Sequence, residues 1–402
     1  MKLSGKLAAG MAAILCTGAM FGQTHPFAGP LSPPAAAQMV PPAPADSPGP
    51  ESGDILDQLQ ERYTTLFQKV SPAVVRVNAA IPGPTPDALP TAYIWSGFFI
   101  TRAGDILTTN AHLLQNATQV WVQSGRVSYP AEVKGIDLVT DVAVLHATTL
   151  PKDFSILNLA DSPESPAQGT MLMSVTCKEG ELPGPSTGMV QGYSVNAGDQ
   201  ALPTLHLRTT IPDDGGEAGS PVVDLHGRLV GIMVASLKES RSSLVLPSRA
   251  ALRVRDDLLA NGKVAYGRLG FVGEQTSDTN SGVRVQVNSV EYGGPALAGG
   301  LKAGDEVRIL NGTAINNEDD LRQATFYLRP GQDVALGVRR NGQDLQLTLH
   351  VGEMQLAGAD QPDLKAPAQT ADAAVKPSPV PGSLISGLGD LGLPPPPVEK
   401  TK

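Results

Sequence analysis

Three short strings in this 402-residue chain carry residue types capable of chemistry: Thr109-Asn110-Ala111-His112, Val139-Thr140-Asp141-Val142, and Gly215-Gly216-Glu217-Ala218-Gly219-Ser220-Pro221. The imidazole of His112 is a natural proton acceptor near neutral pH. A carboxylate such as Asp141 can orient an imidazole, and a glycine-rich turn permits backbone conformations that other residues avoid. Each string alone is weak. A histidine before a helical turn is commonly a cap or a structural hydrogen-bonding residue, and an aspartate in Asp141's setting commonly forms a turn. His25, His146, His206, His226 and His350 show no spacing with cysteine or aspartate that suits a metal, so neither a metal nor a cofactor is expected. Cys177 sits in the apolar run MLMSVTC and reads as a small core residue. Trp95 and Trp121 are expected to pack.

The elements that must position these residues are mostly short strands. β-like runs occur at 73–79, 97–101, 105–109, 119–124, 131–136, 142–147, 169–175, 205–210, 228–234 and 242–246, punctuated by glycine and proline. One helix is expected near 248–260. So many strands ahead of a single helix point to a closed, mainly β body. Ahead of them, Ile55, Leu56, Leu59, Tyr63, Leu66, Phe67 and Val70 recur at helical spacing behind Asp54, predicting an amphipathic helix over about 54–69. A second unit follows with strands at VRVQVN, VALGVRR and DLQLTLHV and a helix at NEDDLRQATFYL.

Composition and charge limit the function. Thirty Lys and Arg against 39 Asp and Glu give a formal net charge of −9, which argues against a nucleic-acid partner. Lys2 and Lys6 ahead of the apolar run Leu7 to Phe21 form a secretory signal pattern over 1–22, so an exported chain, periplasmic or extracellular, is expected. Its removal takes Cys16 and leaves Cys177 as the one cysteine, so no intrachain disulfide is expected. Ala13 and Leu15 suit a lipid-anchor box poorly. Nine prolines in residues 23–50 mark a spacer, taken as 23–53. The remaining divisions are a β body over 54–262, a second domain over 267–353, and a Pro-, Ala- and Gly-rich tail over 354–402 expected to be disordered, with Leu384 to Leu393 as a soluble patch.

Taken together, the order His112, Asp141, glycine-rich loop inside a strand-rich chain resembles the trypsin-like double β-barrel proteases, and most of all the HtrA/Deg family. Ser71-Pro72-Ala73-Val74-Val75 looks like that family's entry into the barrel, Ser96-Gly97-Phe98-Phe99-Ile100 like its opening strand, and Leu246-Pro247-Ser248 like its exit into the last helix. The resemblance implies a mainly β fold: a double six-stranded barrel followed by a PDZ domain. It also implies His112 as base, Asp141 as orienting carboxylate, and a serine nucleophile within Gly-x-Ser-Gly-Gly-Pro. Here that string reads Gly216-Glu217-Ala218-Gly219-Ser220-Pro221, so Ala218 stands in the nucleophile's place and has no lone pair with which to attack a carbonyl. Losing such a serine costs about 10⁶ in kcat. Gly216 and Ala218 match the residues whose N–H groups form the oxyanion hole. Glu217, Asp213 and Asp214 make the loop acidic, which would disfavour an oxyanion. Ser220, two residues on, is expected to leave the turn in another direction.

The second unit resembles an HtrA-type PDZ domain through Gly267-Arg268-Leu269-Gly270-Phe271 and the stretch from 283 to 312. The resemblance implies capture of a C-terminal carboxylate by the loop Arg268, Leu269, Gly270 and Phe271, with the strand from Phe271 to Gly273 as docking edge. Leu321, Ala324 and Thr325 would line the groove, and Val307, Ile309 and Leu310 would form core. Met233, Val234 and Ala235 resemble the family's substrate-pairing strand. The expected partners are C-terminal peptides or unfolded polypeptides and an active HtrA-like protease, with a homotrimer built through the N-terminal helix. The reading is a pseudoprotease that binds peptides. The alternatives are a serine endopeptidase of envelope protein quality control with residual or unorthodox activity through Ser220, and a structural envelope component.

Overall fold

The computed structural model describes residues 52–355 except 84, 86–87, 160–165, 179–180, 198–199, 213–215, 238–240 and 279–281. The expected signal peptide, most of the spacer, the tail from 356, and Asp213 to Gly215 lie outside the described residues. The described residues fall into two units, one up to Glu61 and one from Arg62 onward. Helix α1 (Ser52–Val70) agrees with the predicted amphipathic segment.

In the second unit the first six strands close into a barrel: β1 (Val74–Ile81), β2 (Thr91–Phe99), β3 (Asp105–Thr109), β4 (Gln119–Ser124), β5 (Val127–Asp137) and β6 (Val142–Ala147), in the order β1-β2-β3-β6-β5-β4. The next six close a second: β7 (Met171–Thr176), β8 (Gly184–Ala197), β9 (Gln200–Thr209), β10 (Pro221–Asp224), β11 (Leu229–Leu237) and β12 (Ser242–Pro247), ordered β10-β11-β12-β9-β8-β7. Short helix α2 (Ala111–Leu114) follows β3, and α3 (Ser248–Asn261) follows β12.

The near-continuous apolar runs of these strands have a simple cause. Along β1, Val75, Val77 and Ala79 fill the barrel interior while Val74 faces the other way. The same alternation sends Phe99, Ile106, Ala143 and Leu145 inward, and Phe98, Leu107, Val142 and Val144 outward to Met173, Val175, Val223, Ile232 and Leu246 of the second barrel. Both strand faces are therefore buried, and each fully buried Leu, Ile, Val or Phe contributes roughly 1.5–3 kcal/mol. Leu66, Val70, Ala250, Val254 and Leu258 complete this inter-barrel core.

After α3 the chain forms β13 (Gly267–Arg268), β14 (Phe271–Asp278), β15 (Gly282–Val290), α4 (Pro295–Ala298), β16 (Glu306–Leu310), β17 (Thr313–Ala314), α5 (Glu318–Phe326), β18 (Asp333–Arg340), β19 (Gln343–His350) and β20 (Gly352–Glu353). The main sheet runs β14-β15-β16-β18-β19, with β14 at one edge, and β13 pairs β20. Val285, Val307, Leu310, Leu336 and Leu349 form its core. Ile309, expected there, is 43% exposed, because a bulge at Val307/Ile309 shifts its register against β18.

The second domain is tied to the barrels by a buried cluster. Tyr266 donates to the carboxylate of Asp137 at 2.6 Å, and Arg253 lies over the rings of Tyr266 and Phe326 and donates to the Leu328 carbonyl at 3.1 Å. Burial pushes the Asp137 carboxyl up, against donation from Thr140 and Tyr266, and burial together with the Asp137 charge pushes the Tyr266 phenol well up. Tyr266→Phe is expected to lower stability by about 1–3 kcal/mol in urea unfolding, because a buried carboxylate loses one donor. An unchanged midpoint would show that Thr140 satisfies Asp137 alone.

The strands differ from the sequence reading most at β2 and β8. β2 starts at Thr91 rather than 97, since Tyr93 and its neighbours pair with β1 from Ile81 to Val77. β8 went unpredicted: its burial alternates and it carries Gly184, Gly188 and Gly192, which weaken a strand pattern.

Candidate active site and peptide groove

Asn110 (φ 60°) and Asp141 (φ 58°) both occupy the left-handed region, which asparagine and aspartate tolerate better than most residues. This brings the start of α2 against the turn before β6. The Ala111 N–H donates to the Asp141 carbonyl at 3.3 Å and the His112 N–H to Asp141 Oδ1 at 3.0 Å. His112 Nδ1 lies 2.8 and 2.9 Å from the two Asp141 carboxylate oxygens. An ionised carboxylate only accepts, so Nδ1 carries the proton and Nε2 is left with its lone pair. The turn holding Asp141 is fastened by Asp137, which accepts from the N–H and hydroxyl of Thr140 at 3.1 and 2.5 Å.

The loop ahead of β10 is held from beneath by Ser96. Its N–H donates to the Ala218 carbonyl at 2.9 Å, and its hydroxyl donates to the Gly216 carbonyl at 2.8 Å while accepting from Cys177 N–H at 2.9 Å. Gly219 (φ 78°) is required there: a Cβ would stand 1.9 Å from the Ser96 carbonyl oxygen. Its N–H donates to the Met233 carbonyl at 2.8 Å, and Ser220 N–H closes a turn onto the Glu217 carbonyl at 2.9 Å. Among the described residues, the N–H groups of Gly216 and Ala218 donate to no acceptor. Ala218 packs, partly buried, against the cluster that contains Ala111 and Leu114.

Several expectations change. Glu217 is not an open charge opposing an oxyanion: it is fully buried, with Oε1 3.2 Å from Lys178 Nζ. The Lys178 and Glu181 carbonyls are in turn held by the Arg76 guanidinium, which reaches from β1. Ser220 is fully buried, and its hydroxyl has no partner among the described residues. Met233 is not a free pairing residue, since its side chain is buried and its N–H and C=O bond Ser220 and Gly219. Val234 falls in a bulge between the residues pairing with Val245 and Leu244, and Ala235 continues β11. Cys177 is buried, and burial pushes its thiol up to about 12, so it stays a thiol. His146, His226 and His350 each pair with one aspartate, and among the described residues no group of three ligands gathers. Sequence reading missed Ser96, Arg76 and Lys178 as loop supports, because they lie far from the loop along the chain.

On the second domain, Gly270 (φ 77°) turns the chain between Leu269, which is buried, and Phe271 at the start of edge strand β14. A cavity of about 430 Å3 is bounded by residues 267–272, by 289–291, and by Leu321 and Thr325 of α5. Ala324 packs into the domain core instead. Arg268 pairs with Glu291 at 2.8 Å, and its Nε is buried without a partner among the described residues.

Residues 95–232 match the model of the trypsin-like peptidase domain, and residues 267–351 that of the PDZ domain. A protein of Halomonas elongata named "probable periplasmic serine endoprotease DegP-like" is 30% identical over 64% of this chain, which spans only 56% of that relative's length. The periplasmic pH-dependent serine endoprotease DegQ of Escherichia coli is 26% identical over 77% of this chain and 74% of its own length. Among solved structures, the HtrA-type protease AlgW with a tripeptide superposes with a TM-score of 0.61 at 24% identity, covering 73% of this chain and 98% of that one. A serine endoprotease from Yersinia pestis gives 0.53 at 24%, covering 73% and 98%. Two closed six-stranded barrels, a His–Asp contact at the matching strings and a PDZ domain thus coincide with relatives named periplasmic endoproteases: the chain carries a trypsin-like peptidase domain followed by a PDZ domain and is similar to the DegP-like serine endoproteases.

Proposed function

We propose that this protein is an exported, non-cutting member of its family that captures polypeptide C-termini and unfolded chains. The observation that carries this reading is Ala218 at the nucleophile's place in a stretch, Gly216 to Ser220, that hydrogen bonds to Ser96 and Met233 brace. His112 and Asp141 then form a base without a partner to deprotonate, and Gly216 and Ala218 offer N–H groups to a carbonyl oxygen that nothing attacks.

Binding rests on the PDZ domain. The free edge of β14 can accept a strand, the Leu269–Gly270 turn suits a terminal carboxylate, and Leu321 and Thr325 wall an apolar pocket. Val234 and Ala235 beside the loop supply a second stretch for an extended chain. The partners proposed are C-terminal peptides, unfolded polypeptides and an active relative, with trimerisation through α1. Fluorescence anisotropy with the full chain should give a Kd near the micromolar range for a peptide with an apolar free C-terminus, and at least tenfold weaker binding for its C-terminal amide. Equal binding of acid and amide would overturn carboxylate capture.

A second reading, a serine endopeptidase of envelope quality control, is favoured by the built His112–Asp141 contact, which a pure binder does not need. Its nucleophile would be Ser220, which must leave its buried position to reach His112. Labelling of the wild-type chain by an active-serine probe, lost in Ser220→Ala, would support it.

A further inference from the structure

Nε2 of His112 has no hydrogen-bond partner among the described residues, and the N–H groups of Gly216 and Ala218 likewise find no acceptor there. These groups share one place, since Ala218 packs against the cluster that contains Ala111, the neighbour of His112 on α2. The His112 side chain is 59% exposed, so an entering ligand can reach it. In a serine enzyme a hydroxyl would donate to Nε2. The Ala218 methyl neither donates nor accepts, which leaves Nε2 to the ligand. Two backbone donors and an imidazole with no nucleophile between them match a ligand with two acceptor oxygens better than a peptide carbonyl, which offers one.

Charge does not oppose this. An open carboxylate in the loop would repel an anion, but Glu217 is fully buried with its Oε1 3.2 Å from Lys178 Nζ. Asp141 is the one charged group hydrogen bonded to His112 among the described residues, and it holds the proton on Nδ1. A second proton, taken from solvent onto Nε2, turns the ring into an imidazolium between two carboxylates, that of Asp141 and that of the ligand. We infer that the degenerate site is a carboxylate receptor. It holds the free C-terminus of a polypeptide with one oxygen on the Gly216 and Ala218 N–H groups and the other on His112 Nε2. The ligand class is the product of peptide-bond hydrolysis, a chain end, rather than an internal segment. One chain then holds two such ends, one here and one on the PDZ domain. The inference rests on the non-cutting, peptide-capture reading above.

The test uses the full chain with isotope-labelled histidines and one heptapeptide ending in valine, made as the free acid and as the C-terminal amide. Loss of signals in His112→Gln identifies the His112 ring. With the acid, calorimetry should count two sites per wild-type chain, and the two His112 ring nitrogens should take up the matched resonances of an imidazolium. The amide should leave those resonances in place and bind about tenfold more weakly or less. Ala218→Asp, which fixes a carboxylate in the ligand's place, should remove the His112 response and one of the two acid sites. The comparison of acid with amide on wild type does not depend on that variant folding. One acid site with unmoved His112 resonances would overturn the inference and leave carboxylate capture by the PDZ domain standing. Equal movement by acid and amide would assign the site to a main-chain carbonyl and overturn it, as would a response to the acid that survives in Ala218→Asp. No binding of the acid would overturn the peptide-capture reading as well.

Discussion

Ala218→Ser is expected to raise cleavage of an unfolded protein substrate by at least 10³-fold, with a ceiling of about 10⁶-fold. The ceiling is the cost of deleting the nucleophile from a working triad, about 8 kcal/mol of barrier at roughly 1.4 kcal/mol per decade. Recovery is expected because the base, its orienting carboxylate and the turn are each built. His112 Nδ1 is committed to Asp141 at 2.8 Å, which leaves Nε2 to take a proton, and the turn at Gly216 to Ser220 is braced by five hydrogen bonds to Ser96, Met233 and itself. A β-hydroxyl in place of a methyl hydrogen adds little volume to a residue that is only partly buried. His112→Ala in the same background should abolish the gain, since the hydroxyl then lacks its base. Silence from Ala218→Ser would mean that the N–H groups of Gly216 and Ala218 do not face a substrate carbonyl. Cleavage by wild type that Ser220→Ala stops would replace the binder reading with the endopeptidase one.

Acid should weaken the second barrel through one side chain. His206 on β9 is 2% exposed, and burial lowers its pKa to about 4, against a smaller opposing effect of its hydrogen bond to the Thr204 carbonyl at 2.8 Å. The unfolded chain binds the proton near pH 6.5, while the folded chain resists it until about pH 4. Between those values the unfolded state holds more protons, so stability falls as pH falls, by about 3 kcal/mol in total, and is level again below pH 4. Asp137 has the opposite sign, since burial holds its carboxyl above the usual range, and it must be removed from the comparison. Urea midpoints of wild type and His206→Gln between pH 7.5 and 4 do so, because Asp137 is common to both. The wild-type curve should fall more steeply, and parallel curves would show that His206 is charged or solvated in the folded chain.

Much of this protein was legible in its residues. The runs VVRV, GFFI and VAVL read as strands, and the structure buries both faces of them because one barrel packs against the other. Ala218 was visible at once, because a chemically inert residue in a glycine-rich string needs no structure to be recognised. The Leu269-Gly270-Phe271 turn was likewise local. What sequence reading missed depends on long-range contact. Ser96 meets the 216–220 loop from β2, Arg76 reaches the Lys178 and Glu181 carbonyls from β1, and Lys178 pairs with Glu217, so one of the charges that looked hostile to an oxyanion is internal and paired. Met233 looked like an open strand and is closed by the loop it supports. The sequence by itself determined the strand-rich class, the order of the chemical strings and the missing hydroxyl, since these follow from residue type and period. Only the tertiary structure decided which polar groups are satisfied. Hydrogen bonds and burial between residues a hundred positions apart leave no periodic trace in the chain.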